Sequence, residues 1–319
     1  MRTFICYLLL LTPIGVKADL WGFFAHQKIN RTAVFTLPPE MIDFYKHHLD
    51  YLTEKSVNPD KRRYILKNEG VRHYIDLEHY GDSAAYKMPR YWKQAVELYS
   101  KDSLNAYGIA PYHIARVSNW LIMAFENRDP EKILRISADI GHYIADANVP
   151  LHTTKNYNGQ LTDQVGIHGF WESRLPELFF EEYDLFTGRA TYVPDIQQRI
   201  WDAIINAHEA LDSVFLFEKQ LTQKYAPSKK YSIEEKGLAT SKTYSYKFSR
   251  DYHRRLGGMV ERRIRASIKM VGDIWFSCWV KAGQPQLKDL LDQTYAVNDS
   301  TYSGKSSSKL RNHETGSEN

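Results

Sequence analysis

The stretch that decides the reading is Gly141 to Glu172, GHYIADANVPLHTTKNYNGQLTDQVGIHGFWE. His142 and Asp146 stand four residues apart, so a helix carries them on one face, one turn above the other. Pro150 ends that helix, because proline has no N–H and clashes with the preceding turn. His152 follows on the way out, and a second pair, His168 and Glu172, repeats the four-residue spacing. One such pair is ordinarily a solvated helix face or a satisfied core histidine. Two pairs with a further His beside a helix-ending proline point instead to a metal: imidazole plus carboxylate is the ligand set of catalytic zinc, where three protein ligands leave a position for water.

Outward from this stretch the periodicity is helical. Asp129-Pro130-Glu131 starts the helix that delivers the ligands, with Asp as cap and Pro in the first turn. Its apolar stripe is Leu134, Ala138, Gly141 and Ala145. Further helices are expected from Pro39 toward Leu52, over Tyr91–Tyr107 and over Pro111–Phe125. Two longer ones are expected over Pro194–Leu221 and Ser249–Ala282, the last stopped by Gly283. Residues 227–235 read as a polar linker, and no stretch reads as a strand. The expectation is an all-α fold in one multi-helix domain over residues 19–295. Thr153–Gly166 is a polar loop suited to the rim of a pocket.

Met1–Ala18, MRTFICYLLLLTPIGVKA, has the pattern of a signal peptide, too short in its apolar run to span a bilayer. Its removal would take Cys6 and leave Cys278 alone, so no internal disulfide is expected. That suits export from a bacterial cell, to the periplasm or the medium. The 319-residue chain carries a net charge of +4 and 22 Tyr. It has no Rossmann or P-loop glycine pattern and no internal repeat. Residues 296–319, rich in Ser, Lys and Asn, have the composition of a disordered tail. The cluster Arg254, Arg255, Arg262, Arg263 and Arg265 reads as a solvated face, with nucleic acid or anionic lipid as the alternative partner.

HYIADANVPLH resembles the signature of the bacterial zinc-dependent phospholipase C family, in the superfamily that also holds the secreted single-strand-specific zinc nucleases. His142, Tyr143, Asp146, Asn148, Pro150 and His152 fit it; Ala145 stands where Gly or Thr is usual, and Thr153 where Ala or Pro is. Asp60 and Arg63, followed by His73-Tyr74-Ile75-Asp76, are similar to a second segment of the nuclease branch. The resemblance implies an all-helical domain with two to three Zn²⁺ ions. By it, Asp60, His73, His142 and Asp146 hold one ion, and His152, His168 and Glu172 a second. Asp146 bridges to a third held by His26 and by Trp21, which in the family is the first residue of the mature chain. A cut before Asp19 would leave Trp21 third, so either processing falls elsewhere or the terminal amine does not ligate.

The activity so implied is hydrolysis of a phospholipid headgroup phosphodiester by zinc-bound hydroxide, since zinc lowers the pKa of bound water from about 16 to about 7. Arg63 is the implied phosphate contact, and Asp60 the group that orients the attacking water or serves as base. The alternative is a single-strand-specific endonuclease or 3′-nucleotidase, which would use aromatic rings such as Tyr157 and Phe170 to stack bases. The evidence on branch is mixed. The short loop between His152 and His168 and the final Glu resemble the phospholipases, whereas Trp171 just before the carboxylate resembles the nucleases. A zinc-binding relative without activity is the third reading. No protein partner is indicated.

Overall fold

The structure, a computed structural model, describes residues 22–236 and 239–291. The expected leader, Trp21 and the expected tail lie outside those residues. The principal helices are α1 (Phe23–Ala33), α2 (Ala110–Glu126), α3 (Pro130–Ala147), α4 (Ile196–Glu209) and α5 (Leu211–Thr222). After a β-hairpin come α6 (Tyr246–Arg255) and α7 (Met259–Lys281). Short helical turns fill most of the rest, so the fold is all-α.

α3 lies at the centre and packs against α1, α2 and α7. It starts as its sequence predicts: the Asp129 carboxylate accepts from the Lys132 backbone N–H at 3.0 Å, with Pro130 behind it. Ile133, Ile140 and Ile144 are fully buried along it. α1 is seated by close approach at two glycines. A Cβ on Gly141 of α3 would stand 2.0 Å from Asn30 Oδ1, and one on Gly272 of α7 would stand 1.9 Å from Thr36 Oγ1. Asn30 uses that proximity to donate from Nδ2 to the Ala138 carbonyl at 3.0 Å. Beside it, Trp275 Nε1 donates to Ser137 O at 3.2 Å.

Several long helices are interrupted where periodicity alone ran straight through. Residues 194–221 form α4 and α5, which meet at Ala210. The C-terminal helix is broken between α6 and α7 by Gly257 and Gly258, both with positive φ (56° and 77°), a conformation glycine adopts without steric cost. Ser100, at φ 66°, splits 91–107 into Trp92–Tyr99 and Lys101–Tyr107. Residues 39–55 divide at His48.

The linker reading of 227–235 and the expectation of no strand are corrected by the hairpin. β1 (Tyr231–Lys236) pairs antiparallel with β2 (Ala239–Tyr244), with Tyr231 opposite Tyr244 and Ile233 opposite Lys242. A two-stranded ribbon is marginal alone, and its support is tertiary. Tyr244 is buried and stacks on Phe170 with ring centroids 3.8 Å apart, while Ile233 is 76% exposed. The alternation therefore carries too little hydrophobic contrast to announce a strand. Cys278 is a buried free thiol. Among the described residues no helix is long and apolar enough to cross a membrane.

Candidate metal centre

The C-terminal turns of α3 present His142 and Asp146 toward three other segments. α3 ends at Ala147, where the Asn148 side chain folds back to donate to Ile144 O at 2.9 Å. A 3₁₀ turn over Pro150–Thr153 then brings His152 round to the same side. Asp60 comes from the short helix Asn58–Arg62, and His73 directly follows a 3₁₀ turn. His26 comes from the middle of α1. His168 lies in one helical turn, Ile167–Gly169, that continues into a π turn over Phe170–Arg174 carrying Glu172. Single π turns are frequent at functional sites. His26, His73, His142, Asp146, His152, His168 and Glu172 are all buried.

These side chains gather into three sets of possible ligands, Asp60/His73/His142, His152/His168/Glu172 and His26/His142/Asp146, linked further by the contacts of Asp146 and Glu172. In the first, His142 Nε2 is 3.1 Å from His73 Nδ1 and 3.3 Å from Asp146 Oδ2, and Asp60 Oδ1 lies 3.7 Å from His142 and 3.8 Å from His73. In the second, Glu172 Oε2 is 2.6 Å from His168 Nε2 and 3.3 Å from His152 Nε2. In the third, His26 Nε2 is 3.6 Å from Asp146 Oδ1 and 3.4 Å from Glu172 Oε1. Donors about 2.0–2.1 Å from a tetrahedral zinc lie about 3.3 Å from one another. Most of these separations fall within half an ångström of that edge, and the donor set is that of zinc, so the residues fit the ion.

In three of the five histidines the other imidazole nitrogen is held as a ligating histidine requires, while His26 Nδ1 and His73 Nε2 are buried without a partner. Nδ1 of His142 donates to the Ser56 carbonyl at 2.8 Å, Nδ1 of His152 to the His73 carbonyl at 2.7 Å, and Nδ1 of His168 to the Tyr157 carbonyl at 3.3 Å. Each bond leaves the Nε2 lone pair facing the cluster. The His26 and His142 rings stack 3.9 Å apart, so both are within reach of Asp146. With Nδ1 committed to Ser56, His142 has one nitrogen to offer and serves one ion. Asp146 and Glu172 differ: each turns its two oxygens to different groups.

The electrostatics follow from burying carboxylates among imidazoles. Burial alone would raise Asp146, yet His142 and His152 hold it well below the usual carboxylate range. Glu172 is held well below it by His152 and His168, again against burial. Burial opposes charge on His142, but Asp146 and Asp60 push it up to about 9. His73 is lowered, chiefly by burial. Asp60 is lowered by His142 and Arg63 in spite of its burial.

Every described residue expected to ligate is in this cluster: His26, Asp60, His73, His142, Asp146, His152, His168 and Glu172. Trp21 lies outside the described residues. The nearby acids are engaged elsewhere, Asp50 with Arg31 at 3.0 Å and Glu69 with Arg62 and Arg72. Arg63 pairs with Asp60 at 3.2 Å and lines a small cavity with Tyr74, His152, Tyr157 and His168. Tyr157 is half-buried at that cavity. Phe170 is corrected: it is 2% exposed and stacked between Tyr244 and Tyr252, so it offers no face to a base. Sequence reasoning did not reach the carbonyls of Ser56, His73 and Tyr157, nor the reach of Glu172 toward His26. Backbone acceptors carry no side-chain signal, and no local spacing encodes their approach.

An all-helical chain thus gathers five histidines and three carboxylates, a donor set that could hold metal ions. No protein-family model matches the chain, and no curated protein matches it. Among solved structures, it is similar to Clostridium perfringens alpha-toxin from an avian strain, with a TM-score of 0.43 and 14% sequence identity. The match covers 82% of this chain, which spans 64% of the toxin's length.

Proposed function

We propose that the protein is an exported bacterial zinc-dependent phosphodiesterase that hydrolyses phospholipid headgroup phosphodiesters in the manner of a phospholipase C. The observation that carries this reading is the cluster itself: three His–carboxylate groups are linked by contacts of Asp146 and Glu172 to His26, and a guanidinium stands at their edge. Zinc bound there would supply a Lewis acid and a water acidic enough to react at neutral pH, with pKa about 7. The chain supplies the rest. Asp60, held ionised beside Arg63, is placed to accept a proton from a water or to orient it. Arg63 presents a planar set of donors matched to phosphate oxygens. The three carbonyl-anchored histidines hold their rings fixed, which spares the site reorganisation during reaction.

The single-strand nuclease reading has less support, because Phe170 is core and Tyr157 alone remains as a stacking platform. The complete set of described ligands counts against an inactive relative. The test is zinc content of the purified secreted protein with parallel turnover on phosphatidylcholine and single-stranded DNA. Two to three zinc ions with lipid cleavage is the expected result. Equal metal with DNA cleavage alone moves the protein to the nuclease branch, and a protein without zinc overturns both.

A further inference from the structure

We propose that a second cavity, between α2 and α3, is a binding site for a small amphipathic monoanion: an apolar body carrying one carboxylate, sulfonate or phosphate monoester. The cavity measures about 380 Å³ and contains none of the candidate metal ligands. That volume lies in the range of about 300–1,000 Å³ typical of small-ligand sites. Packed helices ordinarily interdigitate and leave few voids larger than a water. Here α2 and α3 pack along part of their length and leave an open groove beside that contact, lined by α2 residues from His113 to Ala124 and α3 residues from Lys132 to Tyr143.

The lining has two characters. Val117 and Ile136 are buried at its wall, while Trp120 and Met123 are 47% and 55% exposed beside them, an apolar bed left open to water. The polar side is cationic, and its charges are matched with one exception. Arg62 pairs with Glu69 and Asp139, Arg72 with Glu69, and Lys132 with Asp129. Arg135 lines the cavity, is exposed, and makes no hydrogen bond or contact ion pair among the described residues; it feels Asp129 and Asp139 only at longer range. A guanidinium with no carboxylate in contact, beside an apolar bed, favours one negative charge on an apolar body.

A second observation points the same way. His113 lines the cavity and is 3% exposed, yet its Nδ1 has no hydrogen-bond partner. A buried polar atom without a partner costs about 1–3 kcal/mol, so native structures rarely leave one unexplained. Its ring stands edge-on to Trp120 at 6.2 Å and to Tyr143 at 4.7 Å, between the apolar bed and the inner wall. A ligand lying on Trp120 with its head at Arg135 passes close to this imidazole.

The experiment is a titration of the purified, zinc-loaded protein by tryptophan fluorescence and calorimetry. Its ligands are decanoate below its micelle concentration, decanol, decyltrimethylammonium and inorganic phosphate. Decanoate should bind saturably, decanol at least tenfold more weakly, and decyltrimethylammonium and phosphate not measurably. Arg135→Glu should weaken decanoate at least tenfold. Trp120→Ala should remove the fluorescence response and weaken binding at least fivefold. Both side chains are exposed, so zinc content and melting temperature should match the parent protein. Decanoate binding unchanged in Arg135→Glu would place the ligand at the metal centre or elsewhere and overturn the proposal. Phosphate competing as well as decanoate, or decanol binding as tightly, would overturn it too.

Discussion

Asp146→Asn is the sharpest perturbation available, because it keeps shape and removes one charge from the middle of the cluster. Asp146 is 1% exposed, and four imidazole nitrogens lie around its two oxygens. His73 is at 2.8 Å, His142 at 3.3 Å, and His26 and His152 at 3.6 Å. Its two oxygens serve different groups, so the substitution should lower zinc by more than one ion per chain. His168→Ala touches only the second group and should lower it by one. Removing one partner of a buried, charge-paired network destabilises by about 3–5 kcal/mol. At about 2 °C per kcal/mol for a domain of this size, that is a fall in melting temperature of about 6–10 °C. Zinc per chain by elemental analysis and a thermal melt, run on both variants, are sufficient. A loss of one ion or none in Asp146→Asn would refute the sharing of this carboxylate.

Three further outcomes are expected. In metal-free protein the protonated His142, raised to about 9, contributes stability that is present below its unfolded value near 6.5 and lost as pH rises through about 9. Zinc displaces that proton, so melts with and without chelator should diverge as pH rises through this window; parallel curves would contradict the protonation state. Gly141→Ala drives a methyl into Asn30 and should cost about 1–3 kcal/mol by overpacking, with loss of zinc from the His26 group. Urea unfolding and metal analysis read both effects. Phe170→Ala should cost about 3–5 kcal/mol, measured by urea unfolding, because the ring ties the hairpin to the Glu172 segment through Tyr244. A near-neutral result would restore Phe170 as an accessible stacking face.

Much of the centre was legible because its ligands come as local pairs. His142 with Asp146 and His168 with Glu172 advertise themselves at helical spacing, and Pro150 marks the turn that returns His152. Asp60 and His73 have no such register and were reached only through the resemblance. The long apolar stripes correctly gave helices but could not give their interruptions. Ala210 and the Gly257–Gly258 break sit inside unbroken periodicity, and what interrupts the helix is backbone conformation. The hairpin was hidden for the opposite reason: its support is the stack of Tyr244 on Phe170, a contact between segments far apart in sequence. The second cavity was invisible too, since an unfilled space between two helices leaves no mark in either one's pattern.

His26 joins the cluster through the far oxygens of Asp146 and Glu172, so the centre spans the chain from the first described helix to residue 172. During synthesis, a chain that has reached His152 already has the Asp60, His73, His142 and Asp146 set but not Glu172. That partial set lacks the carboxylate that reaches His26 from the second group. Loop closure over such distances adds entropy only slowly with length, but it must be met before the final contacts form. The full donor set is therefore complete only when the Glu172 turn lies against α1. A clipped chain that stops short of Glu172 would keep the early donors and lose the contact that ties them to α1.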